Sequence, residues 1–477
     1  MELVFGLLKK VLKYTIYFLI FATILVLIPN LPPYTTFTKF EIEPTQPQVG
    51  SLTINDALNK AEKLYLNKLI GPESFGLYNG EVYTSLATGE IVKLSPGGHK
   101  TFVTKIGQPC TGRTQEHICG RPLGFVIDSR TNQMYIADAY HGIWKFDMKT
   151  SKKQLLVSPR VEINGRTPKI FNHIAVDRSG NIYWTDSSSD FSLKDGAYTL
   201  FADPTGRLMQ YDAAKNQSKV LLDKLWFANG LAVSPDDQFV VTAETFGNKI
   251  HKYYINGPKK GKSEIFVSGL PGTPDNIQVL PDGSGFLVSL YMAIDDETPM
   301  LPRSLAATPH VRKFLARLHH LIEIPIEFLN QQFPNVFFEA LLYKIGHFST
   351  FSGLSKTSGL VQLDWEGNIV TAYYNRDGSM VHLSDVIVFN DKLLMGSPHS
   401  SYIGAIPVPP LLKKAFSVTS SQQKVEKKSD APKSTQDKPV EQPKPTTAKH
   451  PSSTPAKAAT PSAKTTPPPA KTTPPLS

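Results

Sequence analysis

Residues Asn229–Ile255 read NGLAVSPDDQFVVTAETFGNKIHKYYI. A short apolar run leads into the turn Ser234-Pro-Asp-Asp237, and a second apolar run follows and ends at Glu244. Apolar residues alternating around such a turn spell an antiparallel β-hairpin. The same pattern recurs along the chain. Phe75 opens FGLYNGEVYTSLATGEIVKL, Leu123 opens LGFVIDSRTNQMYIADAYHGIWKFD, and Asn172 opens NHIAVDRSGNIYWTDSSS. Asn276 opens NIQVLPDGSGFLVSLYM and Ser384 opens SDVIVFNDKLLMGSPHSSYIGAI. Successive openings lie 48, 49, 57, 47 and 108 residues apart. Periods near 45–50 residues with several strands each are the signature of propeller blades. Six openings predict an all-β, six-bladed β-propeller over residues 69–410.

The interval of 108 residues carries an insertion inside blade 5, expected over about 293–356. Its centre, Thr308–Gly346, is strand-poor, and VRKFLARLHHLIEI and FEALLYKIG have helical spacing. Apolar residues in that pattern either pack on the propeller, form a lid over one of its faces, or touch a membrane. A further helix is predicted over Ser51–Lys68, where Leu58, Ala61, Leu64 and Tyr65 share one face.

Both ends differ from this body. Tyr14–Ile28, YTIYFLIFATILVLI, has no charged residue, and Lys9, Lys10 and Lys13 precede it. Extended to residue 31, the run is about long enough to cross a bilayer. A cleaved signal peptide is the rival reading, but PNLPPYTTF makes a poor cleavage site. The positive-inside rule keeps residues 1–13 cytoplasmic, 14–31 in the membrane, and everything after them in the lumen or outside the cell: a type II arrangement. Residues 32–68 then form a linker that includes the predicted helix. Residues 411–477 are rich in Ser, Thr, Pro, Ala and Lys. Such a segment buries too little apolar surface to offset its ordering entropy and is expected to be disordered. O-glycans on it would make a mucin-like stalk.

The formal charge of +10 is concentrated at the ends, with +6 after residue 417 and +2 in the first thirteen residues. The near-neutral body argues against nucleic acid as a partner. Two cysteines, Cys110 and Cys119, exclude a four-cysteine zinc site. They are either free buried thiols or one small disulfide loop, and export favours the disulfide. Asn216 is the single N-glycosylation sequon, and it becomes usable in the same compartment.

In a propeller the first strand of each blade lines the central channel, so residues at the upper ends of those strands converge from distant positions. Glu73, Asn172, Asn229, Asp275 and Asn276 fall there, and all are oxygen donors. One or two carboxylates with amide carbonyls suit a hard cation such as Ca²⁺. Thiolates and clustered histidines, which would suit zinc or copper, are missing from these positions. Each residue also has a purely structural alternative as a turn residue, a loop cap or a solvated acid.

FANGLAVSPDDQFVVTAET, DPTGRLMQYD and IYWTDSSS resemble the strictosidine synthase-like family of six-bladed propellers, over roughly Ile70–Pro407. With the N-terminal anchor, the resemblance points to the family's animal branch. It implies a lumenal or surface propeller, a Cys110–Cys119 disulfide, and kinship with paraoxonases and regucalcin. In those relatives a channel calcium polarises an ester or lactone carbonyl. Carried over by position, its ligands fall on Glu73, Asn172, Asn229, Asp275 and Asn276. Arylesterase activity on small esters is therefore the expectation. The chain also departs from the pattern. The paraoxonase histidine falls on Leu123. The glutamate of strictosidine synthase falls on Ser384, which excludes that condensation chemistry. His382 and Asp385 flank Ser384, and His173 stands where relatives carry Asp. These three are the remaining candidates for the base, and His173 has the alternative reading of a buried histidine with its hydrogen bonds satisfied. The alternative function is a cell-surface binding or adhesion glycoprotein, with glycan or surface partners and a structural metal.

Overall fold

The computed structural model describes residues 1–95, 97–294, 301–351 and 355–416. Six four-stranded antiparallel sheets follow one another as blades. Their first strands are Phe75–Tyr78, Pro122–Asp128, Phe171–Val176, Ala228–Val233, Gly272–Val279 and Asp385–Phe389. Each begins within a few residues of an opening read from the sequence. Turn chemistry sets the hairpins. In blade 3, Asp177 accepts from the Asn181 amide at 2.8 Å, and Gly180 adopts φ 84° between them.

The core lies between neighbouring blades. Tyr135, Ile143 and Val157 of blade 2 pack on Phe171, Trp184 and Met209 of blade 3. Val241 and Ile250 of blade 4 pack on Phe286, Val288 and Val361 of blade 5. Burying each such side chain contributes about 1.5–3 kcal/mol, which holds the blades in a ring.

The helix predicted over 51–68 does not form. Gly50–Leu52 is a single 3-10 turn, and Glu62–Leu64 is a strand that becomes the outer strand of blade 6. Glu62 pairs with Ala405 and Leu64 with Ile403, so the N-terminal segment closes the ring. Tertiary contacts override the helical spacing. Leu58 is wholly buried among blade 5 and 6 side chains, and its amide and carbonyl bond to Tyr374 and Asn375. Lys60, Tyr65 and Asn67 take positive φ, which no helix interior permits.

The apolar N-terminal run is helix α1, Glu2–Leu27, with Leu3–Leu27 long and apolar enough to cross a membrane. It starts earlier and stops sooner than the span read from sequence, and Ile28 caps it. Residues 35–46 then run over blades 3 to 5: Thr38 binds Asp203, Phe40 meets Trp226 edge-on at 4.8 Å, and Gln46 bonds to Gly269. At the other end, residues 411–416 are helical and Leu412 is buried. The remainder of the tail lies outside the described residues.

Two further features sit on the upper face. A short helix α2, Glu116–Cys119, ends the loop closed by the Cys110–Cys119 disulfide. The insertion of blade 5 supplies α3 (Leu301–Ala306), α4 (Pro309–Gln332), α5 (Val336–Gly346) and a 3-10 turn at Phe348–Phe351. It crosses the upper face to meet α2 in blade 2, and Leu193–Leu200 in blade 3.

Candidate functional site

Entry into each first strand is controlled by hydrogen bonds that reach across blades. In blade 3, Asn172 Nδ2 donates to Ser187 Oγ at 2.9 Å, and that hydroxyl donates to the Ala228 carbonyl of blade 4. In blade 4, Asn229 Nδ2 donates to Thr245 Oγ1 at 3.2 Å, and Thr245 donates to the Pro274 carbonyl of blade 5. The device repeats from one blade to the next, and it ties each amide nitrogen to the wall. Asn229 Oδ1 is left buried with no partner. An orphaned buried carbonyl is costly unless something else satisfies it.

Glu73, Asn172, Asn229 and Asp275, from four blades, line one cavity at the upper end of the channel. Asn276 does not line it. It sits next in the strand, 2% exposed, with both side-chain polar atoms unpartnered. Among the described residues no group of three His, Cys, Asp or Glu is placed to hold a metal. The donor set is two carboxylates and amide oxygens, a combination that fits calcium and not zinc.

Electrostatics favour a cation here. Burial, then repulsion from Glu73 and Asp385, holds the Asp275 carboxyl well above its ordinary range. Burial pushes Glu73 up to about 7, although the Arg121 guanidinium sits 2.7 Å from its Oε2 and offsets part of the effect. Two buried carboxylates with raised pKa beside an unsatisfied carbonyl are the arrangement a hard cation relieves.

The proposed bases are dispersed. Asp385 does not line the cavity; its Oδ2 accepts from the Phe75 amide and its Oδ1 from the Val386 amide. Burial raises it to about 7. His173 turns into the lower channel, among apolar first-strand residues, and burial lowers it to about 4. His382 stands behind the cavity wall, 4.7 Å from the Tyr291 ring and 5.3 Å from the His399 ring.

Sequence reasoning missed the residues that complete the wall: Arg121, Tyr291, His399, His347 and Phe348. Tyr291 Oη and His399 Nε2 are hydrogen-bonded at 2.6 Å. Burial, with His382 and Arg121 nearby, holds His399 well below its usual value, so it is neutral at physiological pH. His347 Nε2 lies 3.0 Å from Glu116 Oε1, whose carboxylate also accepts from Tyr140. Burial would raise Glu116, but His347 and Arg121 outweigh it and hold its pKa down. Phe348 stacks on Phe227 at 5.0 Å at the top of the cavity. The water-accessible space beneath is only about 40 Å³.

Away from the cavity, Cys110 and Cys119 are joined as a disulfide, with their Cα atoms 5.4 Å apart. Asn216 is exposed in the turn between the outer strands of blade 3, where its Oδ1 accepts from Tyr211.

Comparison with known proteins bears on the family of the chain. The strictosidine synthase family profile matches residues 172–258, and that of the strictosidine synthase-like N-terminal region matches residues 50–94. The adipocyte plasma membrane-associated protein hemomucin of Drosophila melanogaster is 42% identical over 416 residues, covering 86% of this chain and 71% of that one. The human adipocyte plasma membrane-associated protein is 38% identical over 293 residues, covering 58% of this chain and 70% of its own. Among solved structures, a gluconolactonase from Xanthomonas campestris aligns with 80% of this chain and 99% of its own, at 13% identity and a TM-score of 0.45.

Proposed function

This chain belongs to the strictosidine synthase-like family, in the branch of the adipocyte plasma membrane-associated proteins, and on that premise we propose that it is a membrane-anchored, calcium-dependent hydrolase of aryl or other small esters. The observation that carries the reading is the convergence of Glu73, Asp275, Asn172 and Asn229 on one buried cavity, with an orphaned amide oxygen and two destabilised carboxylates. These four residues would hold the ion. When bound, the ion supplies Lewis-acid polarisation of the ester carbonyl.

The chain's own groups do the rest. His399, neutral and fixed by Tyr291, takes a proton on its other ring nitrogen from the water that attacks the carbonyl carbon. It returns that proton to the alcohol oxygen as the ester C–O bond breaks. His382 packs against both rings and is a positioning residue. Phe348, Phe227 and Leu193 exclude bulk water. Ser384 donates to the Glu73 carbonyl at 2.8 Å and is fully buried, so it carries no acid for condensation chemistry.

Orientation belongs to the same reading. Lys9, Lys10 and Lys13 hold the N-terminus in the cytosol, and the propeller stands in the lumen or outside the cell. The disulfide and the exposed Asn216 suit that compartment. Glycosidase treatment is expected to shift the wild-type chain and not Asn216→Gln.

The test is phenyl acetate hydrolysis by the purified full chain, with calcium or with chelator. Turnover is expected to require calcium, to vanish in Asp275→Asn, and to fall about 10²–10⁴-fold in His399→Gln. Turnover that survives complete calcium removal overturns the proposal.

A further inference from the structure

Helix α4 is built inside out. A surface helix of a water-soluble domain turns its apolar stripe inward and its charges to solvent. Here three of the four buried residues, Arg312, Arg317 and Glu323, are charged. Arg312 is 0% exposed and binds the Phe201 and Thr38 carbonyls and Asp203. Glu323 is 6% exposed, receives the Tyr198 hydroxyl, and lies within 4 Å of His319 and His320. The outward stripe is apolar: Leu321, Ile324 and Phe328 on α4, then Phe333, Val336 and Phe337 at the turn into α5, are each 37–69% exposed. On the described propeller strands, exposed large apolar residues are spaced singly, as at Phe102, Leu155, Ile265 and Val370. A contiguous apolar patch of this kind marks a binding surface.

Helix α1 indicates what covers it. α1 packs on the first half of α4, with Phe18 and Phe21 edge-on to Phe314 at 5.8 and 6.5 Å. Arg317 caps the end of α1 through the Leu25, Val26 and Ile28 carbonyls. The stripe on α4 is therefore continuous with the apolar surface of α1.

We propose that the α4–α5 hairpin lies in the bilayer interface, its apolar stripe among the acyl chains of the same membrane that α1 crosses, so that the lid over the cavity is a membrane-seated element. The proposal rests on α1 being the anchor, and its test separates the two. The native cysteines are bonded to each other and leave single introduced cysteines free for labelling. An environment-sensitive fluorophore is placed at Ile20→Cys on α1, at Phe328→Cys and Phe337→Cys on the hairpin, and at Phe102→Cys on blade 1. The full chain is reconstituted into phosphatidylcholine nanodiscs with and without doxyl-labelled lipid. Labels at 20, 328 and 337 are expected to lose most of their emission to the doxyl lipid, and the label at 102 to keep it. Quenching at 20 with none at 328 and 337 overturns the proposal and leaves the anchor standing. Labels at 328 and 337 that are shielded from water yet unquenched mean that a protein covers the stripe, which also overturns it. No quenching at 20 removes the anchor and the proposal with it.

Discussion

Calcium should stabilise this propeller increasingly as pH rises from about 4.5 to 7, because its two cavity carboxylates are the groups whose protons the ion displaces. Glu73 has a folded pKa of about 7 against 4.5 in an open chain. Below 4.5 both states are protonated and nothing is lost. Above it the unfolded chain releases its proton first, so the metal-free fold loses stability until pH passes about 7. The shift corresponds to roughly 3 kcal/mol. At about 2 cal/mol/K per residue, a ring of roughly 350 residues converts that to about 4 °C in Tm. Asp275 is shifted the same way and adds to it. The histidines act oppositely: His173, lowered to about 4, and His399, held below its usual value, contribute stability above about 6.5 that is lost as pH falls. The absolute melting curve mixes these effects, whereas the difference between calcium and chelator isolates the carboxylates.

Differential scanning fluorimetry of the detergent-solubilised chain reads that difference. It is expected to grow by at least about 4 °C between pH 5 and 7.5. Asp275→Asn removes a buried carboxyl that the protein's own cations leave unneutralised. In chelator at pH 7.5 this variant is expected to melt no lower than wild type and to ignore calcium. A calcium increment that stays constant with pH, or a metal-free Asp275→Asn chain that melts well below wild type, would refute the electrostatic account of the cavity.

Three other outcomes follow from the packing. A fragment starting at residue 69 lacks the outer strand of blade 6 and Leu58, and is expected to be open to protease, whereas one starting at residue 34 resists it. Asp186→Asn strands the fully buried Arg207 guanidinium, now paired at 2.8 Å, and should cost about 3–5 kcal/mol in denaturant titration. Replacing both cysteines with serine opens a loop whose ends are nine residues apart and should cost about 2–3 kcal/mol by the same measurement.

The blades were legible because hairpin grammar is local. A turn such as DRSG or SPDD and the apolar alternation around it need no distant partner. Ring closure was not legible for the opposite reason: Glu62 pairs with Ala405, and nothing within a window of twenty residues signals that pairing. Four of the five proposed oxygen donors share a cavity because first-strand ends converge in any propeller. Tyr291 and His399 were missed because they arrive from the ends of second strands, where the residue that repeats is a hydroxyl such as Ser187 or Thr245 and not an aromatic ring. Arg121 did carry a signal. It stands two residues before its blade opening, as Glu73 stands before its own, and both line the cavity.

The cavity's size gives the lid a part in the proposed function. About 40 Å³ of water-accessible space holds a few waters and no aryl ester. On the hydrolase reading, an ester is admitted when Phe348 leaves Phe227, Phe246 and Tyr291, rings 5.0, 5.9 and 5.8 Å away. At about 0.5–1.5 kcal/mol per aromatic pair, these contacts keep the lid shut most of the time without locking it. A lid with an apolar outer stripe facing water would also expose more of that stripe each time it swung. With the stripe in lipid, the outer surface meets the same surroundings open or closed, and opening is opposed by the inner contacts alone. The inside-out character of α4 and the cover over the cavity then belong to one insertion, which reaches the site through His347 and Phe348 and would meet the membrane through its helices.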